Sequence, residues 1–368
     1  MKIAFLYAGG RESRWSAALR GELPSDFFYG AVELARAGHD ISCVDAIENP
    51  HSLLARGYNL LAGARTPVRT RGEHVVAVGA VLDRLRHADV VVATSTSHAI
   101  ALAMWKRWKR LSFGIVGIHC GLVNFPVDGA RRKSTMRALS EQEVVLFAES
   151  ERAETLSRFE LRPERVHANA FGVDMRFWTT GGVRGNFILS VGNDGRRDYA
   201  TLIDAVRTLD VPTKIVTSRE LPTPLPPHVE HLKGSWHRPA LTDEELRDLY
   251  RSAALVVIPL TDSLQPSGQS VALQAMACGT PVILSRTSGL WIGSDFADGT
   301  DLLLVDAGNP KALRTVIVNS LADTGLRQRM GESAREAVLR HGNIEDFARR
   351  LDSVLADRGA QRASSLPS

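Results

Sequence analysis

The stretch 264–284 constrains the fold of this 368-residue chain most, because it reads as turn, helix and strand in immediate succession. Its sequence is LQPSGQSVALQAMACGTPVIL. A Pro-Ser-Gly turn precedes a short apolar helix over 271–277, and Gly279 ends this helix before an apolar strand over 282–284. The backbone N–H groups of 268–270 are then free donors at the positive end of the helix dipole. They predict a site for phosphate or for sugar hydroxyls, although a plain βαβ crossover also fits the spacing.

The segment AMACGTPVI, residues 275–283, resembles the signature of the retaining nucleotide-sugar glycosyltransferases of the GT-B fold, glycosyltransferase family 4. In that family, a Glu-x7-Glu pattern around this helix grips the donor sugar and the ribose. Here the two positions hold Pro266 and Gln274, so both acids are replaced. Gln274 retains the capacity to exchange hydrogen bonds with ribose hydroxyls. Pro266 cannot replace a carboxylate, which leaves Ser267 and backbone amides to hold the sugar.

Composition is that of an ordinary soluble protein, with 44% hydrophobic and 23% charged residues, and the length suggests two domains. Cys43, Cys120 and Cys278 show neither disulfide nor metal spacing, which favours a reducing compartment. The apolar N-terminal run is too short for a signal peptide or a membrane span, and no later run approaches 18 residues. A cytoplasmic location is therefore expected. The net charge of +4 is mild, so clusters of charge matter more than the total.

The first half alternates strand-like and helix-like segments, which predicts a parallel, doubly wound sheet. The predicted strands are 3–7, 41–44, 89–93, 113–118 and 144–148, and 27–37 reads as one of the helices. Ligands of such sheets lie beyond the carboxyl ends of the strands. Gly10 ends the Ala-Gly-Gly turn after the first strand, where backbone can approach a ligand, although the G-x-G-x-x-G pattern of dinucleotide enzymes is missing.

His119 follows a predicted strand in GIHCGL, so its position predicts a side chain that faces the ligand cleft. In the resembled family, a His-Gly or His-Thr at this point lies beside the donor sugar. The resemblance therefore implies that His119 orients the sugar. A structural histidine at a strand end is the alternative, and His98, which follows another strand, is a second candidate.

Tryptophan and basic residues alternate in WKRWKR, residues 105–110, where a helix would place the tryptophans near one face. Tryptophan beside lysine or arginine suits a membrane interface or an anionic acceptor, but inward-packed rings with solvated cations fit equally well. A second basic patch follows at 131–133, and Arg65, Arg69 and Arg71 form a third. Nucleic acid would suit the charge, yet no nucleic-acid-binding motif is present. The predicted acceptor or membrane residues are Trp105, Lys106, Trp108, Lys109, Arg131 and Arg132.

The domain boundary is predicted around FGVDMRFW, residues 171–178, which is similar to the stretch that closes the N-terminal domain in the resembled family. We therefore expect a Rossmann-like acceptor domain over 1–178 and a glycine-rich linker over 179–185. A Rossmann-like donor domain follows over 186–342. The last helix, 343–357, is expected to cross back to the first domain, as the resemblance implies. The remaining residues, 358–368, are small and polar and are predicted to be disordered.

The first strand of the second domain, 186–191, runs into GNDGRRDY, where the resembled enzymes place an Arg and a Lys that neutralise the donor diphosphate. The Arg position holds Asn193 and the Lys position holds Arg197, with Arg196 beside it. Arginine suits phosphate at least as well as lysine does. The alternative is a solvated basic turn. The resemblance also implies that 233–236 and 261–263 border the base.

The sequence thus predicts two Rossmann-like domains in a GT-B arrangement and a glycosyltransferase of the hexosyltransferase type. The donor would be a UDP- or GDP-linked sugar; the acceptor would be a lipid-linked or cell-envelope glycan at the membrane surface, or a small molecule. Retention is inherited from the resemblance, and no metal or cofactor is expected. The predicted catalytic residues are His119 and Arg197. The predicted donor-binding residues are Gly10, Asn193, Arg196, Ser267, Gly268, Gln269, Ser270 and Gln274.

Three other classes of protein remain open. A nucleotide-sugar-binding pseudoenzyme or partner subunit would explain the missing acids. A sugar-nucleotide epimerase would need carboxylates for acid–base work, and the signature contains no such pair. A peripheral membrane adaptor would bind lipid without any need of Arg197.

Overall fold

The computed structural model describes residues 1–63, 66–124, 129–234, 241–291 and 295–365, with side chains up to residue 357. Its contacts divide the chain into two compact units. The first unit comprises Met1–Ala170 with Glu345–Ser368, and the second comprises Phe171–Ile344. Each unit contains its own six-stranded sheet. The prediction of two doubly wound parallel sheets is therefore confirmed.

In the first unit, all five strand pairings described are parallel and the strand order is β2-β1-β3-β4-β5-β6. These strands are β1 (Lys2–Tyr7), β2 (Asp40–Asp45), β3 (Val90–Ala93), β4 (Gly114–His119), β5 (Glu143–Leu146) and β6 (Val166–Ala168). β3, β4 and β5 are buried along their whole length. That pattern is expected for parallel strands covered by helices on both faces.

The helices of the first unit alternate with its strands, except that the last one comes from the C-terminal end of the chain. They are α1 (Trp15–Arg20), α2 (Ala31–Arg36), α3 (Leu53–Ala62), α4 (Gly72–Leu85), α5 (Thr96–Lys109), α6 (Gly129–Leu139), α7 (Glu149–Phe159) and α13 (Ile344–Ser365). A large core cluster of this unit lies between the sheet and α4, α5, α6 and α7.

The second unit repeats the plan, with all five pairings parallel and the strand order β12-β11-β10-β7-β8-β9. Its strands are β7 (Ile188–Val191), β8 (Thr213–Val216), β9 (Val229–Leu232), β10 (Leu255–Ile258), β11 (Val282–Arg286) and β12 (Leu303–Asp306). Its helices are α8 (Tyr199–Val206), α9 (Asp243–Ser252), α10 (Gln269–Ala277), α11 (Pro310–Ala322) and α12 (Thr324–His341).

Each sheet has one point at which the strand order reverses. In the first sheet it lies between β1 and β3, and in the second it lies between β7 and β10. At such a point, the two following segments leave in opposite directions and open a crevice at the carboxyl edge of the sheet. The loops after β7 and β10 are therefore the expected walls of a ligand site in the second unit.

The observed boundaries differ from the sequence prediction in three places. Residues 171–178, predicted to close the first domain, belong to the second unit by their contacts. The predicted helix 27–37 is broken, because Gly30 has a φ of +84° and α2 begins only after it. Residues 358–365, predicted to be disordered, continue α13, whereas 366–368 lie outside the described residues.

Residues 171–178 are fixed in the second unit by both backbone and side chain. Val173 N–H donates to the carbonyl of Gly342 at 2.8 Å, and Ile344 N–H donates to the carbonyl of Val173 at 3.0 Å. The ring of Trp178 is buried and lies 5.8 Å from the ring of Tyr250. Burial of a ring as large as that of Trp178 makes residues 171–178 part of the hydrophobic core of the second unit.

A close approach between α12 and the turn after α10 offers a test of the packing in the second unit. A Cβ atom added at Gly331 would lie 2.2 Å from the carbonyl oxygen of Gly279. Gly331→Ala is therefore expected to push the two elements apart and to cost about 1–3 kcal/mol of unfolding free energy. Thermal or urea denaturation would measure the loss.

Gly325→Ala is the matched control in the same helix. Its added Cβ would meet only the side chains of Arg329 and Asp323, at 3.2 and 3.4 Å. Because alanine is the better helix former, the control should keep or raise the stability. Equal midpoints for the two variants would contradict the packing described.

Candidate functional site

The two loops at the strand-order reversal of the second sheet are joined by backbone hydrogen bonds. Asp198 N–H donates to the carbonyl of Pro259 at 3.0 Å, and Thr261 N–H donates to the carbonyl of Arg196 at 2.9 Å. Arg197 and Leu260 form an antiparallel bridge between the same loops. The loop after β7 and the loop after β10 therefore form one rigid rim, which we call the β7–β10 rim, residues 192–198 and 259–268.

Arg197 lies within this rim with its side chain only 3% exposed. Its Nε is 2.8 Å from a carboxylate oxygen of Asp194, in an ion pair that is not aligned for a hydrogen bond. Its Nη1 is buried and has no hydrogen-bond partner among the described residues. A buried guanidinium with unused donors is suited to a ligand anion.

Gly192 is the residue that lets the guanidinium occupy this place. Its φ is +150°, and a Cβ atom there would lie 2.1 Å from Nε of Arg197. The carbonyl of Gly192 accepts hydrogen bonds from the hydroxyls of Tyr199 and Thr217, at 2.6 and 2.7 Å. The turn after β7 is therefore held from both sides.

Asn193 and Arg196, predicted to bind the donor, lie on the same turn. The Oδ1 of Asn193 accepts from Ser218 N–H at 2.5 Å and from the Thr217 hydroxyl at 3.2 Å. Its side-chain carbonyl thus braces the end of β8. Arg196 is half-buried, and its backbone N–H donates to the Asp194 carboxylate at 3.0 Å.

The N-terminus of α10 completes the rim. Gly268 is the N-cap residue, with a φ of +79°, and no side chain caps the helix. A Cβ atom at Gly268 would lie 3.0 Å from Ile258 and 3.2 Å from Leu260, so the backbone here packs tightly on the end of β10. The Oγ of Ser267 is buried and has no hydrogen-bond partner among the described residues. Unsatisfied donors at an uncapped helix start favour an anion.

The other predicted residues of this helix are placed differently. Gln269 is buried, and its Nε2 donates to the carbonyl of Leu290 at 3.4 Å, whereas Ser270 is half-buried. Gln274 is 4% exposed, and its Oε1 accepts from the Tyr250 hydroxyl at 3.4 Å. The structure thus gives the Gln274 amide a partner inside the second unit, and its contact with ribose stays a prediction.

In the first unit, the turn after β1 contains Gly10, which is exposed and has a φ of +73°. The following N–H groups, of Arg11 and Glu12, donate to the carboxylate of Asp45 at 3.1 and 3.2 Å. The turn is thereby attached to the end of β2, on one side of the strand-order reversal of the first sheet.

His119 ends β4 and is fully buried. Its Nε2 lies 3.2 Å from Oε1 of Gln142, and its Nδ1 has no partner among the described residues. Burial lowers the pKa of His119 to about 4, so the imidazole is neutral near pH 7. The side chain therefore lies in the interior of the first unit, where it supports the end of the strand.

His98 is likewise an internal residue. Its Nδ1 lies 2.7 Å from the hydroxyl of Ser95, which also caps α5, and its Nε2 lies 3.1 Å from the carbonyl of Ala46. Burial lowers the pKa of His98 to about 4. Its Nδ1 thus contacts the N-cap residue of its own helix, and its Nε2 joins α5 to the segment after β2.

Glu151 was missed by the sequence analysis, yet it controls the loop after His119. This buried carboxylate, in the first turn of α7, accepts from the N–H of Leu122 at 2.8 Å. Burial raises the pKa of Glu151 to about 7, while hydrogen bonds from the backbone of Leu122 and Gly121 oppose that rise. Arg69 supports the same loop, because its Nη1 donates to the carbonyl of Cys120 at 2.7 Å. The sequence feature that could have indicated this role is the position of Glu151 in the first turn of a helix, where an acidic side chain is favourable.

The two tryptophans of 105–110 have different surroundings. The indole N–H of Trp105 donates to the carbonyl of Val75 at 2.7 Å, and its ring packs against Gly79 of α4. Trp108 is 52% exposed and lies edge-on to Trp105 at 5.3 Å. Trp105 is therefore a packing residue, and Trp108 presents its ring to solvent.

The predicted basic residues also divide. Lys106 is half-buried, whereas Lys109 and Arg131 are exposed. Arg132 forms an ion pair with Glu160 at 2.6 Å. Arg65, and residues 235–236 of the predicted base-binding segment, lie outside the described residues.

Neither a candidate metal site nor a candidate membrane span is present in the described ranges. No group of three or more histidine, cysteine or acidic residues there is arranged to hold a metal ion. No helix within them is both long and apolar enough to cross a membrane.

A family model described as glycosyl transferases group 1 matches residues 188–323, which include the whole β7–β10 rim. This segment of the chain is thus similar to the group 1 glycosyl transferases. The resemblance stated from AMACGTPVI is confirmed for this segment.

Curated relatives match part of the chain. D-inositol 3-phosphate glycosyltransferase of Streptomyces bingchenggensis is 38% identical over 130 residues, which are 35% of this chain and 28% of that protein. The protein of the same name from Corynebacterium jeikeium is 43% identical over 91 residues, 25% of this chain and 20% of that protein. The matched segments thus span less than a third of these relatives.

Solved structures resemble the chain over nearly its full length. Sucrose-phosphate synthase from Thermosynechococcus elongatus superposes with a TM-score of 0.71 at 18% identity, covering 98% of this chain and 99% of that one. Anabaena Alr3699/HepE in complex with UDP gives 0.68 at 16% identity, covering 97% and 100%. The two units of the chain therefore have the GT-B fold, as predicted.

The raised pKa of Glu151 predicts a pH-dependent stability. A carboxyl whose pKa is raised from 4.5 to about 7 on folding binds its proton more tightly in the folded state. Its contribution to stability is therefore full below about pH 4.5 and is lost as the pH rises to about 7. Glu151→Gln stays neutral, so its stability relative to the parent chain should rise by about 3 kcal/mol or less between pH 5 and 7.5.

Chemical denaturation at several pH values measures this difference. Glu149→Gln is the matched control, because this side chain on the same helix is 52% exposed. The stability difference between Glu151→Gln and the parent chain could instead stay constant across this pH range. That result would contradict a raised pKa of Glu151 in the folded state.

Proposed function

We propose that the chain transfers a sugar from a nucleoside diphosphate sugar, UDP- or GDP-linked, to an acceptor. The observation that carries this proposal is the β7–β10 rim. It combines the unused Nη1 of Arg197, the unpartnered hydroxyl of Ser267 and the uncapped start of α10 at the strand-order reversal of the segment that is similar to group 1 glycosyl transferases. The UDP bound by Anabaena Alr3699/HepE, a structural neighbour, supports a nucleotide of this class.

In this proposal, Arg197 and α10 neutralise the diphosphate. Negative charge grows on the leaving diphosphate as the bond to the sugar breaks, and fixed positive groups stabilise that charge most strongly. Arg197 is preorganised for this by burial and by its ion pair with Asp194. The N–H groups at the start of α10 add their dipole to the same region. This neutralisation needs neither a metal nor a cofactor.

The replaced acids limit what is proposed for the sugar. With Pro266 and Gln274 at the two family positions, sugar and ribose contacts fall to the Ser267 hydroxyl, the N–H groups of 268–270 and the Gln274 amide. Retention at the anomeric carbon follows the resemblance to family 4. We assign no nucleophile, because neither family position carries a carboxylate.

Substitution of Arg197 tests the proposal. Arg197→Gln keeps a polar side chain but removes the charge, and it should lower kcat/KM about 10²–10³-fold, as loss of one transition-state donor typically does. Arg197→Lys should retain more activity, because it keeps the charge and loses only the bidentate geometry. The measurement is release of UDP or GDP from a panel of nucleotide sugars with and without acceptors.

Arg207→Gln is the control, since Arg207 lies on the surface of the same unit and its one ion-pair partner among the described residues is Asp204. Three results would replace the proposal. Donor-induced thermal stabilisation without turnover would identify a pseudoenzyme or partner subunit. A changed sugar with no free nucleoside diphosphate would identify an epimerase. Lipid binding without any donor binding would identify a membrane adaptor.

The acceptor is proposed to be a lipid-linked or cell-envelope glycan at the cytoplasmic face of a membrane. A surface in the first unit supports this, the α3 leucine face, made of Leu53, Leu54, Leu60 and Leu61. These four side chains are between 74% and 88% exposed. The pairs are seven residues apart, or about two turns, so they share one side of the helix.

The opposite side of α3 is already occupied. Ala55 is buried, and Tyr58 packs against the core of the first unit. The leucine face is therefore not needed for that core. Exposed arginines border it in the sequence, at Arg56 and Arg71. Apolar side chains flanked by cations suit an anionic lipid surface.

Charge introduced into the α3 leucine face tests membrane association. Leu54→Glu combined with Leu61→Glu should reduce binding to anionic phospholipid vesicles at least about tenfold, because burying each leucine contributes roughly 1.5–3 kcal/mol. Vesicle co-sedimentation measures the change. Val183→Glu is the matched control, since Val183 is an apolar side chain of the second unit that is 89% exposed. If the double variant binds vesicles as the parent chain does and Trp108→Ala does not, the membrane contact lies on α5 instead of α3.

A further inference from the structure

A cavity of about 510 Å³ lies at the amino edge of the second sheet, away from the β7–β10 rim. Its walls are the segment 180–185, the end of α9, the end of α10 and the first two thirds of α12. Ala254 and Gly279, which line it, precede β10 and β11 respectively. Because the β7–β10 rim stands at the carboxyl ends of the strands, the cavity belongs to a different site. All of its lining residues are within the second unit.

Four arginines line this cavity, and we call them the arginine cluster: Arg184, Arg251, Arg327 and Arg335. A single carboxylate, that of Glu332, lines it with them. Arg251 also forms an ion pair outside the lining, with Asp248 at 3.2 Å. Among the described residues, no carboxylate lies within 4.0 Å of the guanidinium of Arg184, Arg327 or Arg335. The cavity therefore has a marked excess of positive charge.

The bonds that hold these guanidiniums go mostly to uncharged oxygens. Arg184 donates to the carbonyls of Ala253 and Gly279, and Arg335 donates to the carbonyl of Ala277. Carbonyl oxygens orient a guanidinium but do not cancel its charge. Withdrawal from water, together with the nearby Arg327, lowers the pKa of Arg184, which is the response of a cation that lacks a counter-ion.

The lining also indicates the class of ligand. A volume of about 510 Å³ is in the range of small-molecule sites. No aromatic ring is among the lining residues described, so stacking of a nucleobase is not favoured. Thr180, Thr324, Gln328 and Glu332 line the cavity beside the arginines and have the groups that bind hydroxyls. Guanidiniums are the preferred partners of phosphate.

We propose that this cavity is a second ligand site of the chain, for a small phosphorylated sugar or polyol. The arginine cluster takes the phosphoryl group, and the threonine, glutamine and glutamate side chains take the hydroxyls. This site is independent of the diphosphate site proposed at Arg197.

Calorimetric titration at constant ionic strength tests the proposal, with glucose 6-phosphate, inorganic phosphate and glucose as probes. The titrations use the full chain with Arg197→Gln, which removes the anion site of the β7–β10 rim. Glucose 6-phosphate should bind more tightly than phosphate, and glucose should show no binding. Adding Arg184→Gln and Arg327→Gln should weaken glucose 6-phosphate binding at least tenfold, whereas adding Arg207→Gln should leave it unchanged.

Glu332→Gln gives a result that loss of folding cannot imitate. It removes the lining carboxylate, so binding of inorganic phosphate should strengthen severalfold. Binding of phosphate without preference for the sugar phosphate would overturn the assignment to a phosphorylated sugar. No saturable binding of either anion, or binding that is indifferent to both the arginine and the Glu332 substitutions, would overturn the site itself.

Discussion

The parallel pairing of β7 with β10 is the constraint on which the candidate site depends. It sets the ends of two strands side by side at the reversal of strand order, and the loops that follow are then joined by their own backbone hydrogen bonds. Arg197 reaches its buried position only because that rim exists and because Gly192 leaves room for the guanidinium. The same pairing brings the start of α10 to the rim, since α10 follows β10 along the chain. The guanidinium of Arg197, the hydroxyl of Ser267 and the start of α10 therefore lie together at the β7–β10 rim because of the strand order.

Much of the fold was readable from the sequence, because buried parallel strands are nearly continuous apolar runs. The strand 282–284 and the helix before it were predicted closely, and so was the turn that bears Arg197. Local pattern sufficed there, since each element carries its own apolar run and its own ending residue. The break at Gly30 was missed, because a left-handed glycine inside an otherwise helical pattern gives no signal of its own. Ala348, which a Cβ atom added at Gly30 would meet at 3.2 Å, is more than 300 residues away in the sequence.

The direction of individual side chains was harder to foresee than the elements that bear them. His119 was placed correctly at the end of a strand, yet its imidazole lies in the interior beside Gln142, a residue of a later loop. Trp105 and Trp108 look alike in the sequence, but among the described residues only Trp105 lies against a glycine on a neighbouring helix. Glu151 was missed for the same reason, because its partner is a backbone group that only the tertiary fold brings near. Contacts between residues far apart in the sequence determine where these side chains point, and the spacing of residues along the chain does not reveal those contacts.

The helix α10 is attached at both ends to positively charged surroundings. Its N-cap residue, Gly268, belongs to the β7–β10 rim. At the other end, the carbonyl of Ala277 accepts from Arg335, and the carbonyl of Gly279, just beyond the helix, accepts from Arg184. Nine residues make a rod of about 14 Å with no internal glycine or proline to act as a joint. Such a rod moves as one piece. A displacement at one end is therefore transmitted to the other, so the packing around Cys278 helps to set the position of the backbone N–H groups at the start of α10.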